Sequence, residues 1–289
     1  MSTAIQDNNA ARLTGSAAAL VNLARYPIAD LDQPAGKQLL AECRQHMAES
    51  GACGLPEFVT PQATEIMREE ANAVTHRAYF CHSTHNTYLE PDDPSFPADH
   101  PRRIRHQTDV GSVAYDHIPA DATLRRLYHW DPLRDFIAAV LGYEQLHRFA
   151  DPLGALSINV FTEGGAHGWH FDESEFTTTL MLQAAERGGH FEYAPHIRDA
   201  DNENYDAVAR VLAGDTSNVK RLSFEPGTLL IFAGRNTIHR LTRVAGKRPR
   251  LVPILCYTSE PGMTNSDEVR KLFWGRTGHE GCGSGFSRE

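Results

Sequence analysis

The stretch Gly168-Trp169-His170-Phe171-Asp172-Glu173 decides the fold prediction, because it places two metal-ligating side chains in one short element. Side chains alternate between the two faces of an extended strand, so His170 and Asp172 point the same way while Phe171 packs on the other side. A third ligand must come from a distant part of the chain. The best candidate is His239.

The composition excludes several classes of protein. The chain has 289 residues, 41% of them hydrophobic, which suffices for a sizeable core. Its net charge of -9 and the lack of a Lys/Arg cluster argue against nucleic-acid binding. No apolar run could span a bilayer and residues 1–12 do not resemble a signal peptide, so we expect a cytoplasmic protein without membrane contact. The five cysteines are odd in number and widely spread, which argues against a disulfide framework.

The hydrophobic periodicity divides the chain into four regions that we expect to form one structural domain. Residues 1–16 are small and polar and predict a disordered N-terminus. Residues 17–142 show helical spacing around a proline-rich loop, which suits an active-site lid. Residues 263–289 predict a short helix followed by a mobile tail. The remaining region, 143–262, carries the site.

That region shows eight short runs rich in β-branched and aromatic residues, separated by turn residues. The runs are residues 155–162, 167–171, 176–183, 190–193, 220–224, 228–232, 237–242 and 251–258. Strands with this punctuation favour a double-sheet jelly roll over alternating strand and helix units. The predicted fold class is therefore α+β, a double-stranded β-helix core with a helical N-terminal half packed on it.

The predicted ligands and one arginine form a chemically coherent set. Two imidazoles and a carboxylate on one face of a metal make the facial triad of non-haem Fe(II) sites, which leaves the opposite positions open. Arg250 lies 11 residues after His239, at the start of a strand, and could clamp a carboxylate deep in the barrel. Arg248 competes for this role, because residues two apart share a face. Pro249 places Arg248 at the strand edge and so favours Arg250.

The order His170-x-Asp172, His239, Arg250 resembles the Fe(II)/2-oxoglutarate-dependent dioxygenase superfamily. Its double-stranded β-helix binds iron through His, Asp and His, and the far carboxylate of the cosubstrate through an Arg. The stretches Gly188–Tyr193 and Pro226–Phe232 are similar to its characteristic strands. The resemblance covers about residues 146 to 257 and implies Fe(II), 2-oxoglutarate and O2 as cofactors.

A finer resemblance is to the branch that contains halogenases and hydroxylases of free amino acids. It rests on the stretches Trp169–Asp172, Phe191–Pro195, Glu203–Asp206 and Gly234–Arg240. In the halogenases of that branch a Gly replaces the metal carboxylate and leaves room for chloride. Because Asp172 is present here, the resemblance implies hydroxylation of a small polar substrate, a free amino acid or a derivative, with release of succinate and CO2.

Further residues are candidates for binding the cosubstrate. Asn159 could orient it, although an Asn in a strand equally caps a bulge. Thr178 or Thr179 could offer a hydroxyl to its far carboxylate, although Thr is also simply a good strand former.

For substrate, His167 lies at the rim just before the metal strand, where a solvated turn histidine is the alternative. Glu173 would reach the mouth of the barrel if the chain bends after Asp172. Arg105, His106 and Trp274 look like members of the substrate lid of the amino-acid branch; the alternatives are a solvated basic face and a core anchor.

Two other functions fit the same ligand types. A metal-binding cupin without redox activity, a sensor or storage protein, would have no use for Arg250. A zinc hydrolase would keep a bound water with a pKa near neutrality in the open position. We expect a small-molecule substrate if the protein is either kind of enzyme. The sequence does not decide between a monomer and a homodimer.

Overall fold

A computed structural model describes residues 15–278 of the chain. It contains six α-helices: α1 Pro34–Ser50, α2 Pro61–Val74, α3 Thr123–Tyr128, α4 Asp131–Leu141, α5 Tyr205–Leu212 and α6 Asp267–Trp274. Short 3-10 turns cover Ala17–Leu20, Thr75–Arg77 and Tyr115–His117. Most of the predicted N-terminus and most of the predicted tail lie outside the described residues.

Residues with known capping preferences mark the ends of several helices. The hydroxyl of Thr60 accepts a hydrogen bond from the backbone N–H of Ala63 and caps α2. Gly51 and Gly142 end α1 and α4 with φ angles of 64° and 80°, in the left-handed region that glycine tolerates. Ser266 caps α6 through the N–H of Val269. Local chemistry therefore sets these boundaries.

The strands are short, and most of them form one antiparallel sheet. In chain order they are β1 Ala52–Leu55, β2 Tyr79–His85, β3 His106–Val113, β4 His147–Arg148, β5 Leu156–Phe161, β6 Ala166–His170, β7 Thr177–Leu180, β8 Arg187–Gly188, β9 Phe191–Ala194, β10 Lys220–Arg221, β11 Leu229–Phe232, β12 Ile238–Leu241, β13 Val244–Ala245, β14 Arg250–Leu255 and β15 Tyr257–Thr258. The large sheet runs β1-β11-β7-β14-β5-β3-β6-β12-β9-β10, and β2 pairs with β3.

This sheet curls around an internal cavity. Strands far apart in the order, such as β11 near one end and β9 near the other, contribute Phe232 and Phe191 to the same cavity wall. A flat sheet could not bring them together, so the two ends must fold toward each other. The predicted jelly-roll core with a helical N-terminal part is confirmed.

Alternation along each strand separates the core from the cavity. On β11, Leu229 and Ile231 join the largest hydrophobic cluster, whereas Leu230 and Phe232 face the cavity. That cluster includes Phe58, Met67 and Phe136 from the helical region. The helices thus cover one face of the sheet, and the opposite face is free to line a site.

The N-terminal half contributes more sheet than the helical prediction anticipated. β3 lies between β5 and β6 and pairs with both. β2 pairs with β3 along its whole length, from Tyr79 opposite Ser112 to His85 opposite His106. The proline-rich residues 91–101 fall in the connection between them. The proposed division at residue 142 stays a prediction.

Candidate metal centre and cavity

The pairing of β6 with β12 brings the two predicted histidine ligands together. His170 lies directly opposite His239 in the antiparallel register, and their ring centroids are 4.1 Å apart. Asp172 follows two residues after the end of β6, where its backbone N–H donates to the carbonyl of Gly234. The pairing of β6 with β12 therefore brings His239, which is distant in sequence, to His170 and Asp172.

The potential ligand atoms of His170, Asp172 and His239 all lie within 4.8 Å of one another. Oδ1 of Asp172 is 3.6 Å from Nε2 of His170 and 3.4 Å from Nε2 of His239. The histidines are buried and the aspartate is mostly so. Two imidazole nitrogens and one carboxylate oxygen on one side of an open cavity suit a divalent transition metal.

Backbone carbonyls hold both rings in the orientation that a metal requires. Nδ1 of His170 donates to the carbonyl of Gly168 at 2.8 Å, and Nδ1 of His239 donates to the carbonyl of Thr237 at 3.0 Å. Each Nε2 is then the unprotonated nitrogen and faces the centre. Such outer hydrogen bonds orient metal ligands in proteins.

The surroundings favour the protonation states that bind metal. Burial, followed by the neighbouring His239, lowers the pKa of His170. Burial alone would raise the pKa of Asp172, but the nearby His239 and His170 outweigh it and hold this pKa well below its ordinary value. A neutral imidazole and an ionised carboxylate, the states favoured at His170 and Asp172, are species that coordinate a metal.

A cavity of about 280 Å³ extends from these ligands to Arg250. The guanidinium of Arg250 is 3% exposed, and its Nε has no hydrogen-bond partner among residues 15–278. Burial lowers the pKa of Arg250 to about 9, so the group is still charged at neutral pH. Its central carbon lies 5.9 Å from the ring of Phe161 and 5.4 Å from that of Phe224. A buried cation without an acceptor is the feature expected of a carboxylate-binding site.

Arg248 lies in a different environment. Its guanidinium donates to the carbonyls of Ala184 and Ala185 on the exposed side of the protein. The two-residue alternation that made Arg248 a competitor is broken by these contacts. Of these two arginines, Arg250 lines the cavity and Arg248 does not.

The other two candidate cosubstrate residues line the same cavity. Asn159 accepts a hydrogen bond from the hydroxyl of Ser112 through Oδ1, which leaves its amide group available. Thr179 lies on β7 beside β14, and its buried hydroxyl makes no hydrogen bond within the described part of the chain. The hydroxyl of Thr178 is also unpaired there, but Thr178 does not line this cavity.

The predicted substrate residues separate into two groups. His167 lines the inner cavity and stacks on His170 with ring centroids 3.7 Å apart. Glu173 lines an outer cavity of about 650 Å³ that shares Thr177 and Ile254 with the inner one. The chain does bend after Asp172, which brings Glu173 to the mouth.

Arg105, His106 and Trp274 do not line either cavity in the structure. Arg105 is exposed and donates to the hydroxyl of Thr84. His106 is half-buried, with Nε2 3.4 Å from the hydroxyl of Thr87. Trp274 packs in a small hydrophobic cluster with Ala114 and Leu153.

Among the residues that the sequence prediction missed, one contacts a metal ligand and another lies on the cavity wall. His85, on β2, contacts the rings of His167 and His170 at centroid distances of 5.4 Å and 5.7 Å. Phe273, the neighbour of Trp274, lines the inner cavity. The alternation of Cys81, Ser83 and His85 was a weak strand signal for the first, but nothing local tied that strand to β6.

The fold is shared with solved structures of low sequence identity. AviO1 from Streptomyces viridochromogenes Tue57 matches with a TM-score of 0.53 and 15% identity, over 78% of this chain and 97% of AviO1. The epimerase SnoN in complex with Fe3+, alpha ketoglutarate and nogalamycin RO matches with a TM-score of 0.52 and 15% identity, over 77% and 84%. A prolyl hydroxylase from Trichoplax adhaerens, solved with a hypoxia inducible factor peptide, matches with a TM-score of 0.50 and 12% identity, over 77% and 90%.

No curated protein sequence matches the chain significantly. No helix within residues 15–278 is long and apolar enough to cross a membrane. The model of the Halogenase D family matches residues 35–272, which is most of the chain. The chain belongs to the Halogenase D family, and it is a member of the Fe(II)/2-oxoglutarate-dependent oxygenase superfamily.

Proposed function

We propose that this enzyme hydroxylates an unactivated C–H bond of a small polar substrate, a free amino acid or a derivative, and releases succinate and CO2. Iron and 2-oxoglutarate, once bound, supply the oxidising chemistry. The protein supplies the ligands, the orientation of both small molecules and a cavity with little water.

Asp172 is the reason for proposing hydroxylation, although the family is named for halogenation. In the halogenases of the resembling branch a Gly stands at this position and opens a site for chloride. Here the carboxylate is in place, 3.4 Å from Nε2 of His239. Its Oδ2 accepts a hydrogen bond from the hydroxyl of Thr177 at 2.8 Å. A halide would have to displace a carboxylate that the fold holds firmly.

The residues of the inner cavity have complementary roles in this proposal. His170, Asp172 and His239 hold the metal from one side, and Arg250 receives the far carboxylate of 2-oxoglutarate with help from Thr179. The aromatic wall, which includes Phe232 at 4.7 Å from the ring of His239, keeps the site dry. A dry surrounding strengthens the pairing of carboxylate and guanidinium.

Arg250 also weighs against the two alternative functions. A sensor or storage cupin and a zinc hydrolase both need the metal ligands, but neither needs a buried guanidinium in the same cavity whose Nε has no partner among residues 15–278. Leaving such a donor without an acceptor costs stability. A ligand that supplies the missing carboxylate explains why it is there.

The substrate class rests on the outer cavity. Its wall combines carboxylates, Glu173 and Glu175, with apolar side chains such as Phe149 and Met263. The side chain of His167 faces the inner part of the path. Polar groups at a few positions on an apolar wall are typical of a small-molecule site.

The test is a succinate-release screen of Fe(II)-loaded enzyme against free amino acids and their derivatives, with chloride present and with chloride absent. We expect one class to give succinate and a product heavier by one oxygen atom, at the same rate in both buffers. A chlorinated product would overturn hydroxylation and leave the family assignment intact. Turnover without O2 would favour the hydrolase instead.

The Asp172→Gly variant tests the carrying observation directly. We expect it to lose hydroxylation, because the metal loses one of its three protein ligands. Succinate and hydroxylated product are both measured, with and without added chloride. Full hydroxylase activity in this variant would mean that Asp172 is not a ligand.

A further inference from the structure

The two carboxylate oxygens of Asp172 have different surroundings. Oδ1 is the oxygen that approaches Nε2 of both His170 and His239. Oδ2 accepts the hydrogen bond from Thr177. The carboxylate is therefore oriented before any metal binds, with one oxygen toward the metal position and the other committed to the protein.

Gly234 provides the space for the committed oxygen. A Cβ atom at this position would lie 1.9 Å from Oδ2 and 2.5 Å from Cγ of Asp172. Gly234 is not among the glycines with a positive φ in residues 15–278, so no turn geometry requires a glycine here. Its carbonyl accepts the backbone N–H of Asp172 at 3.1 Å. The missing side chain serves the carboxylate.

Thr177 is placed independently of Asp172. It begins β7 and pairs with Phe232 on β11, so the sheet register sets the position of its hydroxyl. Its side chain lies at the boundary between the inner and outer cavities. The hydroxyl therefore reaches Asp172 from a rigid strand and not from a loose turn.

We propose that Thr177 and Gly234 form a socket that holds Oδ2 of Asp172 and presents Oδ1 alone to the metal. A carboxylate that is free to rotate can bind a metal through both oxygens, which occupies one more coordination position. The facial triad works because its open positions stay open for the cosubstrate. Thr177 is thus a positioning residue that protects one of those positions.

The inference rests on the metal centre of the proposed function, and Co(II) titration in the absence of O2 tests the two separately. Thr177→Val keeps the shape of the side chain and removes the hydroxyl, whereas Thr177→Ser keeps the hydroxyl. We expect the valine variant to bind Co(II) about 10- to 100-fold more weakly, the range for outer-shell partners of metal ligands. The serine variant should remain near the wild type.

The visible spectrum of bound Co(II) and the melting temperature complete this experiment. The spectrum should change in Thr177→Val because the coordination by Asp172 changes, and the Tm of the metal-free protein should fall slightly because the hydrogen bond to Asp172 is lost. The metal-induced rise in Tm should shrink with the affinity. Equal affinity and an unchanged spectrum in Thr177→Val would overturn the socket. Failure of the wild type to bind Co(II) would overturn the metal centre itself.

Gly234→Ala tests the other half of the socket through a double-mutant cycle. In the wild-type background the added methyl overlaps Oδ2, so we expect a lower Tm in the metal-free protein. In the Asp172→Gly background the overlapping atoms are gone and the same substitution should cost nothing. An equal loss of Tm in both backgrounds would show that Gly234 serves the loop and not the carboxylate.

Discussion

The two ends of the inner cavity differ in how far their hydrogen-bonding groups are satisfied. At the metal end, Nδ1 of His170, Nδ1 of His239 and Oδ2 of Asp172 each have a partner in the protein. At the opposite end, Nε of Arg250 has none among residues 15–278, and the hydroxyl of Thr179 on the cavity wall has none there either. The protein itself supplies the partners at the first end, whereas donors on the rest of the cavity wall are unpaired within those residues.

The difference shows what each ligand contributes. A metal needs rigid donors in a fixed geometry, so the hydrogen bonds that orient its ligands are already formed within the protein. An anionic cosubstrate brings its own acceptor oxygens, so donors that face it must remain unpaired until it binds. An unpaired buried donor destabilises the empty protein, and binding of a carboxylate removes that penalty. Variants at the two ends should therefore fail in different ways.

The largest effect should follow from removing a ligand at the metal end of the cavity. We expect His170→Ala or His239→Ala to lower succinate formation by more than about 100-fold, beyond the range for outer-shell residues. Metal content after gel filtration should fall in parallel. His190→Ala is the matched control, because His190 is exposed and lines neither cavity. Coupled turnover at the normal rate in either ligand variant would exclude the assignment.

Arg250→Ala should produce the largest effect at the opposite end of the cavity. We expect the KM for 2-oxoglutarate to rise by about 30- to 1000-fold, the cost of removing one partner of a buried charge pair. The KM for substrate and the metal affinity should change little. Arg248→Ala is the control, because its guanidinium contacts only exposed carbonyls. If Arg248→Ala had the greater effect on 2-oxoglutarate, the roles of the two arginines would be exchanged.

The sequence predicted the metal end of the cavity and most of the sheet, because these depend on local patterns. The alternation around His170 and Asp172 is visible in six residues, and strand punctuation in residues 143–262 is regular. Capping residues such as Thr60 and Gly142 likewise end helices through local chemistry. Local chemistry of this kind survives folding unchanged.

What the sequence could not supply was the pairing of distant strands and the register of the last helix. β2 and β3 lie on either side of a proline-rich connection, and β2 is an edge strand with only Cys81 buried. Its ladder with β3 brings His85 next to His170, a contact between residues far apart in sequence. In α6, a rotation of one residue decides that Phe273 and not Trp274 lines the cavity.

Thr179→Val sharpens the comparison, because Thr177→Val removes a hydroxyl two residues away on the same strand. We expect Thr179→Val to raise the KM for 2-oxoglutarate about 10-fold, the value of one hydrogen bond to a charged group. The Tm of the empty protein should not fall, since this hydroxyl has no partner there within residues 15–278. Co(II) affinity should stay at the wild-type level. A loss of metal affinity instead would show that Thr179 supports the metal ligands.

The smallest effect should come from His167→Phe, at the point where the metal end meets the path of the substrate. A phenyl ring preserves the stack on His170, which lies at 3.7 Å, and removes both ring nitrogens. We expect the KM for substrate to rise about 5-fold, the value of one neutral hydrogen bond, with unchanged values for 2-oxoglutarate and metal. If metal affinity fell by the same factor, the nitrogens of His167 would belong to the support of His170. The group of residues that supports the metal ligands would then include His167.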